Sequence, residues 1–192
     1  MRVLVTGATG FLGEHLIAAL DGRGHSVRAL VRSTSRTADL ERRGIEIVRA
    51  GFDDASGLRR AMDGIEAIVH AAGGGLTPHV EEVYRANAGS TRALLEALPS
   101  SVRRFVLVSS VAAHGPSPAH RDALETDPDA PRSHYGRSKL EAERAALAHA
   151  DRLEVVVVRP PTLYGPGEHR MIPLFRAARR GVLPMVHPSG RV

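Results

Sequence analysis

The sequence predicts an α/β fold, a doubly wound parallel sheet with helices on both faces. Three observations carry that expectation. Six short runs are rich in valine and isoleucine, segments of helical period separate them, and a glycine-rich turn joins the first run to the first helix.

Taken in order, the first run is Val3–Thr6. After the glycine turn, Leu12, Leu16 and Leu20 recur every four residues, the spacing of one buried helical stripe. Val27–Val31 and Ile45–Val48 are the next two runs. Asp54 then stands as N-cap of a helix through Leu58 and Met62, which Gly64 stops. Ala67–Ala71 leads into a helical pattern over roughly 78–98, and Phe105–Val108 ends in Ser109-Ser110. Residues 115–132, rich in proline and aspartate, read as a surface loop, followed by a helix over 133–150 and a last run, Val155–Val158. Little polar alternation within the runs predicts strands covered on both faces. After Gly165-Pro-Gly167 comes an amphipathic piece, Met171–Arg180, and a tail containing proline, glycine and serine. The expected division is one nucleotide-binding domain over 1–170, with 171–192 the start of a substrate-binding region that is largely absent.

Composition narrows the function classes. Hydrophobic residues at 43% and charged residues at 24% are those of a globular protein. Cysteine is absent, which excludes disulfides and thiolate metal sites. No apolar stretch approaches the roughly 18 residues of a membrane span. The chain enters a strand at once, leaving no room for a signal peptide, and a cytoplasmic location is expected. The net charge of +5 raises the question of nucleic acid. However, the arginines are scattered as pairs and aromatics are 4%, so base stacking has few platforms and no nucleic-acid partner is expected. The ten histidines show no ligand spacing, and His70, on a buried run, reads as a satisfied core residue.

Thr6-Gly-Ala-Thr-Gly-Phe-Leu-Gly13 places Gly7, Gly10 and Gly13 three apart, directly after a strand and opening a helix. A dinucleotide site needs that arrangement. It provides a sharp turn, close backbone approach to a pyrophosphate, tight helix packing, and free N–H groups at a helix N-terminus. Turns also collect glycine for purely structural reasons, but the strand-to-helix context favours the phosphate loop, with Gly7, Thr9, Gly10, Phe11, Leu12 and Gly13 as its contacts. Folds that prefer NAD place an acid at the end of the second strand. Here Arg32 and Ser33 stand there instead, helped by Arg36, and suit the 2′-phosphate of NADP. The competing reading has Arg32 merely ending a strand in an arginine-rich chain.

Tyr135 and Lys139 lie four apart in His134-Tyr-Gly-Arg-Ser-Lys139, hence on one helix face. A phenol ionises near pH 10, and a neighbouring ammonium lowers that value, as does the charge of an oxidised nicotinamide. Lys139 is the chain's single lysine among 26 basic residues. Placed at random it would fall four after one of the three tyrosines in only three of 192 positions. An accidental exposed pair is therefore a poor explanation. A hydroxyl orienting the reacting oxygen belongs at a neighbouring strand end, where Ser110 is the first choice and Ser109 the fallback.

With these residues assembled, the chain resembles the extended short-chain dehydrogenase/reductase family, a group of NAD(P)-dependent epimerases, dehydratases and hydroxysteroid-type dehydrogenases built on a Rossmann-type sheet. The likeness rests on Thr6–Gly13, His70-Ala-Ala72, residues 87–97, Ser109-Ser110, Tyr135-x-x-x-Lys139 and Arg159-Pro-Pro-Thr-Leu-Tyr-Gly-Pro-Gly167. It implies Tyr135 as general acid/base, Lys139 as its partner and ribose ligand, and Ser110 as donor to the substrate oxygen. Ala71, Ala72 and Pro160 would line the cofactor. Asn87 matches the family's helix asparagine, with a buried hydrogen-bonding role equally open. The 78–98 and 133–150 helices would form a homodimer contact.

Three departures qualify the resemblance. Ala50-Gly51-Phe52 replaces the usual Gly-Asp-Leu, so an aspartate contact to adenine is missing and Phe52 is left to pack on the base. Val111 and Ala112 follow Ser110 where sugar-nucleotide dehydratases have two acids, which argues against dehydration. Relatives run to some 300 residues or more, so a truncated chain is expected. The leading expectation is hydride transfer between NADP, or NAD, and the carbonyl or alcohol of a small molecule. An epimerase that retains its NAD and a non-catalytic NADP sensor are the alternatives.

Overall fold

A computed structural model describes residues 1–75, 77–117 and 120–182, and the tail beyond 182 lies outside the described residues. The chain divides into two compact units, Met1–Pro161 and Thr162–Val192, so the division falls earlier than the expected 170.

The first unit is a six-stranded parallel sheet in the order β3-β2-β1-β4-β5-β6. The strands are β1 (Arg2–Thr6), β2 (Ser26–Val31), β3 (Glu46–Arg49), β4 (Ala67–His70), β5 (Arg104–Val108) and β6 (Glu154–Val158). All six expected runs are strands. The order reverses between β1 and β4, and the carboxyl ends of those two strands open the crevice where such sheets bind ligands. Residues alternate between the two faces. Val3 and Val5 of β1 join Val69, Ile17 of α1 (Phe11–Asp21) and Leu40 of α2 (Ala38–Arg42) on one side. Leu4 joins Ile68 and Phe105 on the other, against α3 (Ala55–Met62), α5 (Ser90–Glu96) and α7 (His134–Leu147).

Some expectations need correction. In α1 the deepest residues are Gly13 and Ile17, with Leu16 and Leu20 packed partly buried beside them, because the helix leans one position around from its leucine stripe. The sheet is not covered throughout. On β6, Val156 and Val158 are 38% and 45% exposed, whereas Val155 packs against the core on the opposite face. Short α2 and α6 (Val111–His114) carry too few turns for periodicity to reveal them.

Capping follows the sequence. The Asp54 carboxylate accepts from Gly57 N at 2.8 Å and starts α3. At the other end of α3, buried Arg28 of β2 donates to the carbonyls of Ala61 and Asp63 at 2.9 and 2.8 Å and pairs with Glu46 at 2.8 Å. A guanidinium at a helix C-terminus satisfies carbonyls that the helix leaves free.

The helix expected over 78–98 is α4 (Val80–Tyr84), a wider π turn (Arg85–Gly89) and α5 in succession. Side chains stabilise that wider turn. Asn87 donates to Val83 O at 3.0 Å, Ser90 to Ala86 O at 2.7 Å, and Thr91 to Asn87 O at 2.9 Å. α7 begins where Ser133 accepts from Gly136 N at 3.0 Å. The second unit, over its described residues, holds α8 (Ile172–Arg179), with Tyr164 and Phe175 in edge contact at 5.9 Å. No helix among the described residues is long and apolar enough to cross a membrane.

Candidate active site

The glycine turn meets the end of β4. Gly7 has φ of +70°, and a β-carbon on it would lie 2.7 Å from the backbone of Ala71 and Ala72. Gly13 packs closer still, since a β-carbon there would fall 2.1 Å from Gly7 O. Gly10 caps α1 without a side-chain bond to the first-turn N–H groups, which stay available to an anion. Thr9, Phe11 and Leu12 are half-buried around the turn, and Phe11 rests edge-on against His15 at 5.0 Å.

A buried hydrogen-bond relay fixes this junction. Ser90 Oγ donates to Ala86 O, so it accepts from His70 Nε2 at 3.1 Å. His70 Nδ1 is then left to accept from Thr6 Oγ1 at 2.6 Å, and Thr6 in turn accepts from Ala72 N at 3.2 Å. His70 is wholly buried. Burial first, then the charge of Lys139, pushes its pKa down to about 3, which keeps the ring neutral. Among the described residues, no three His, Cys, Asp or Glu side chains gather as a metal-ligand set.

Past Ala72 the chain runs Gly73-Gly74-Gly75 across the face of α7. A β-carbon on Gly73 would lie 3.0 Å from Lys139 Nζ and 2.7 Å from Asn87 Oδ1. One on Gly75 would lie 2.7 Å from the Tyr135 ring. Asn87 clamps the run by donating to Gly74 O at 2.7 Å and accepting from Gly74 N at 3.2 Å, while also donating to Ser138 Oγ at 2.9 Å. Sequence reasoning singled out neither this glycine run nor Thr6 and Ser90. Three consecutive glycines after a strand were the available signal.

Tyr135 and Lys139 share one face of α7, with Nζ 6.0 Å from the tyrosine ring centroid. Lys139 is buried and donates to Val108 O at 3.0 Å. Burial lowers its pKa to about 8, and the charge of Glu143 partly opposes that fall. Ser110 starts α6, its hydroxyl accepting from Ala112 N at 3.2 Å. α6 is pressed onto the start of α7, because a β-carbon on Gly136 would lie 2.1 Å from Ala112 O. Pro160 closes this side by accepting from Val111 N at 3.2 Å. Ser109 is engaged elsewhere, since its buried hydroxyl donates to Glu143.

At the far end of the crevice a depression of about 460 Å³ is lined by Arg32, Ser33, Thr34, Arg49 and Asp53, among others. Arg49 was not anticipated. It shapes the loop after β2 by donating to Ser33 O and Ser35 O, each at 3.2 Å, and to Thr37 Oγ1 at 2.6 Å. Phe52 does not line the depression. Its ring sits 5.7 Å from that of His70 and packs partly buried against the core, while Ala50, Gly51, Asp53 and Asp54 of that turn line the depression.

Residues 3–188 match the profile of the NAD dependent epimerase/dehydratase family. The chain is 38% identical to ceramide reductase of Caulobacter vibrioides over 99% of its own length and 55% of that protein. It is 34% identical to 3 beta-hydroxysteroid dehydrogenase/Delta 5-->4-isomerase of Mycobacterium tuberculosis, over 94% of its length and 52% of that protein. It thus spans about half the length of these relatives. The crystal structure of Thermus thermophilus UDP-glucose 4-epimerase in complex with NAD superposes with a TM-score of 0.83 at 28% identity, covering 96% of this chain and 64% of that one. A family profile matched over nearly the whole chain, on a sheet of matching topology, means that this chain belongs to the NAD dependent epimerase/dehydratase family.

Proposed function

We propose that this chain is the catalytic and nucleotide-binding part of an NAD(P)-dependent oxidoreductase that reduces a carbonyl, or oxidises the corresponding alcohol, with Tyr135 moving the proton. One observation carries the reading. The backbone run from Ala71 to Gly75 touches the glycine turn at one end and the Tyr135–Lys139 pair at the other. A dinucleotide with its pyrophosphate at Gly7, Gly10 and Gly13 would pass along that run to the phenol. When bound, the nicotinamide ring supplies or accepts the hydride. The chain's residues do the rest. Ser110 donates to the substrate oxygen, and Tyr135 gives that oxygen its proton during reduction or takes it during oxidation. Lys139 supplies a positive charge beside the tyrosine and holds ribose hydroxyls. Ala71, Ala72 and Pro160 form apolar walls that keep water from the reacting carbon.

NADP is the preferred cofactor in this reading, because Arg32, Ser33 and Arg49 gather at the depression expected to receive the adenosine ribose. Phe52, packed on His70, is withdrawn from the cofactor contacts. The substrate is best read as an apolar small molecule. Val111, beside Ser110, is 48% exposed and followed by Ala112, and two relatives are named for ceramide and hydroxysteroid substrates. Retention of NAD for epimerisation is the second reading, favoured by the resemblance to the epimerase structure. A cysteine-free chain suits a reducing cytoplasm. A homodimer through α4, α5 and α7 would bury the face holding Tyr84, Arg137, Glu141 and Arg144.

The test is a fluorescence titration with NADPH and NADH on the wild type, Arg32→Ala and Tyr135→Phe. NADPH should bind the wild type at least about tenfold more tightly, and Arg32→Ala should erase that preference. Tyr135→Phe should bind NADPH normally yet lose about a hundredfold or more in carbonyl reduction. Preference for NADH by the wild type would reject NADP. Full activity in Tyr135→Phe would reject the acid/base assignment.

A further inference from the structure

One helical turn beyond Lys139, α7 buries a second charged side chain that the proposed reaction does not use. Glu143 is only 3% exposed at its side chain. It accepts from the Ser109 hydroxyl and from Arg159, whose Nε lies 2.9 Å from Oε1 and whose terminal nitrogen lies 2.5 Å from Oε2. The same guanidinium also holds Asp129, at 2.8 and 3.1 Å. Asp129 is in turn 3.3 Å from His114 Nδ1 at the end of α6. Burial works against the Asp129 carboxylate, yet the bonds and charge of Arg159 outweigh it and hold its pKa below the ordinary value.

Two carboxylates therefore share one guanidinium, which leaves the cluster with a net negative charge. Arg144, next to Glu143 in α7, is exposed, and the buried cation of that helix is Lys139, one turn back. Other charged groups on the helices packed against α7 are differently placed. Glu81 and Glu82 lie in the exposed first turn of α4, and Arg92 of α5 pairs with Glu141 at 3.1 Å. From β4, Lys139 is faced by His70, which is neutral. Tyr135 faces it from within α7.

We propose that Glu143 is a positioning residue for the Tyr135–Lys139 pair, holding the Ser109–Ser110 strand end in register and supplying the counter-charge that keeps buried Lys139 an ammonium. The proposal rests on the acid/base reading above. It explains why a helix face that buries Leu140, Ala142 and Ala146 also buries a glutamate. Burial drives Lys139 toward the neutral amine, and Glu143 is the group that opposes it. Arg159 pairs with Glu143, while Asp129 offsets the charge of Arg159 so that the field at Lys139 stays negative.

The single lysine makes this directly measurable. With [ε-13C]lysine incorporated, the chain gives one lysine resonance, whose pH titration reports Lys139 alone. The wild-type midpoint is expected near 8. Glu143→Gln should move it down by about one pH unit. Asp129→Asn, with its side chain about a quarter exposed and its volume kept, should move it down by less. An unchanged midpoint in a folded Glu143→Gln variant overturns the proposal. If that variant does not fold, an unchanged midpoint in Asp129→Asn does so. The signal needs no turnover, so failure here is distinct from failure of the acid/base reading, which full activity in Tyr135→Phe would reveal.

Discussion

Gly75 lies against the ring of Tyr135, so that a β-carbon built on it would come within 2.7 Å of the ring carbons. The phenol is thus held by a backbone with no side chain to yield. In Gly75→Ala, either the ring or the 73–75 segment must shift. A displacement of about 1 Å is enough to cost a proton-transfer step roughly a hundredfold. The expected outcome is a loss of that size in kcat for carbonyl reduction. The thermal midpoint should change little, because Gly75 is not part of the buried core. Unimpaired kcat would show that ring placement does not depend on this contact.

Gly13 supports the turn from below, and a methyl group there would collide with Gly7 O. Neither partner is a flexible side chain, so Gly13→Ala should lift α1 away from the turn. Overpacking of this kind costs about 1–3 kcal/mol. NADPH affinity should also fall at least about tenfold, since the N–H groups lose their aim. Parallel unfolding and nicotinamide-fluorescence titrations check both effects.

Lys139 makes stability depend on alkaline pH. Its folded-state pKa of about 8 lies below the ordinary 10.5. Between those values the unfolded chain holds more protons than the native one, so stability rises as pH climbs from 8 to 10.5. Below pH 8 the full cost of burying the ammonium is present. Relative to Lys139→Met, the wild type should therefore gain up to about 3 kcal/mol across that window. Denaturant unfolding of both proteins at pH 7, 9 and 10.5 measures it, and a constant gap would contradict a buried, depressed amine.

Much of the candidate site was legible because its spacing is local. Tyr135 and Lys139 needed only helical periodicity, and Gly7, Gly10 and Gly13 needed only their place between strand and helix. Glu143 left a fainter trace, standing four residues after Lys139 on the same face, but nothing in the sequence paired it with Arg159 or Asp129. Phe52 and Asp53 show the limit at a turn. That the Phe52 ring packs inward while Asp53 lines the depression depends on the ring of His70, contributed by another strand.

The sequence by itself determined the alternation of strands and helices, the cap at Asp54, and the two motifs. Each depends on residues within one or two turns of each other, where backbone sterics and periodicity decide. Tertiary structure alone decided that the Ala71–Gly75 run bridges the glycine turn and the tyrosine, that β6 leaves one face open, and that buried Glu143 meets Arg159 and, through it, Asp129. Those relationships arise from strand order and helix packing, which join residues far apart in the chain through contacts that no local pattern encodes.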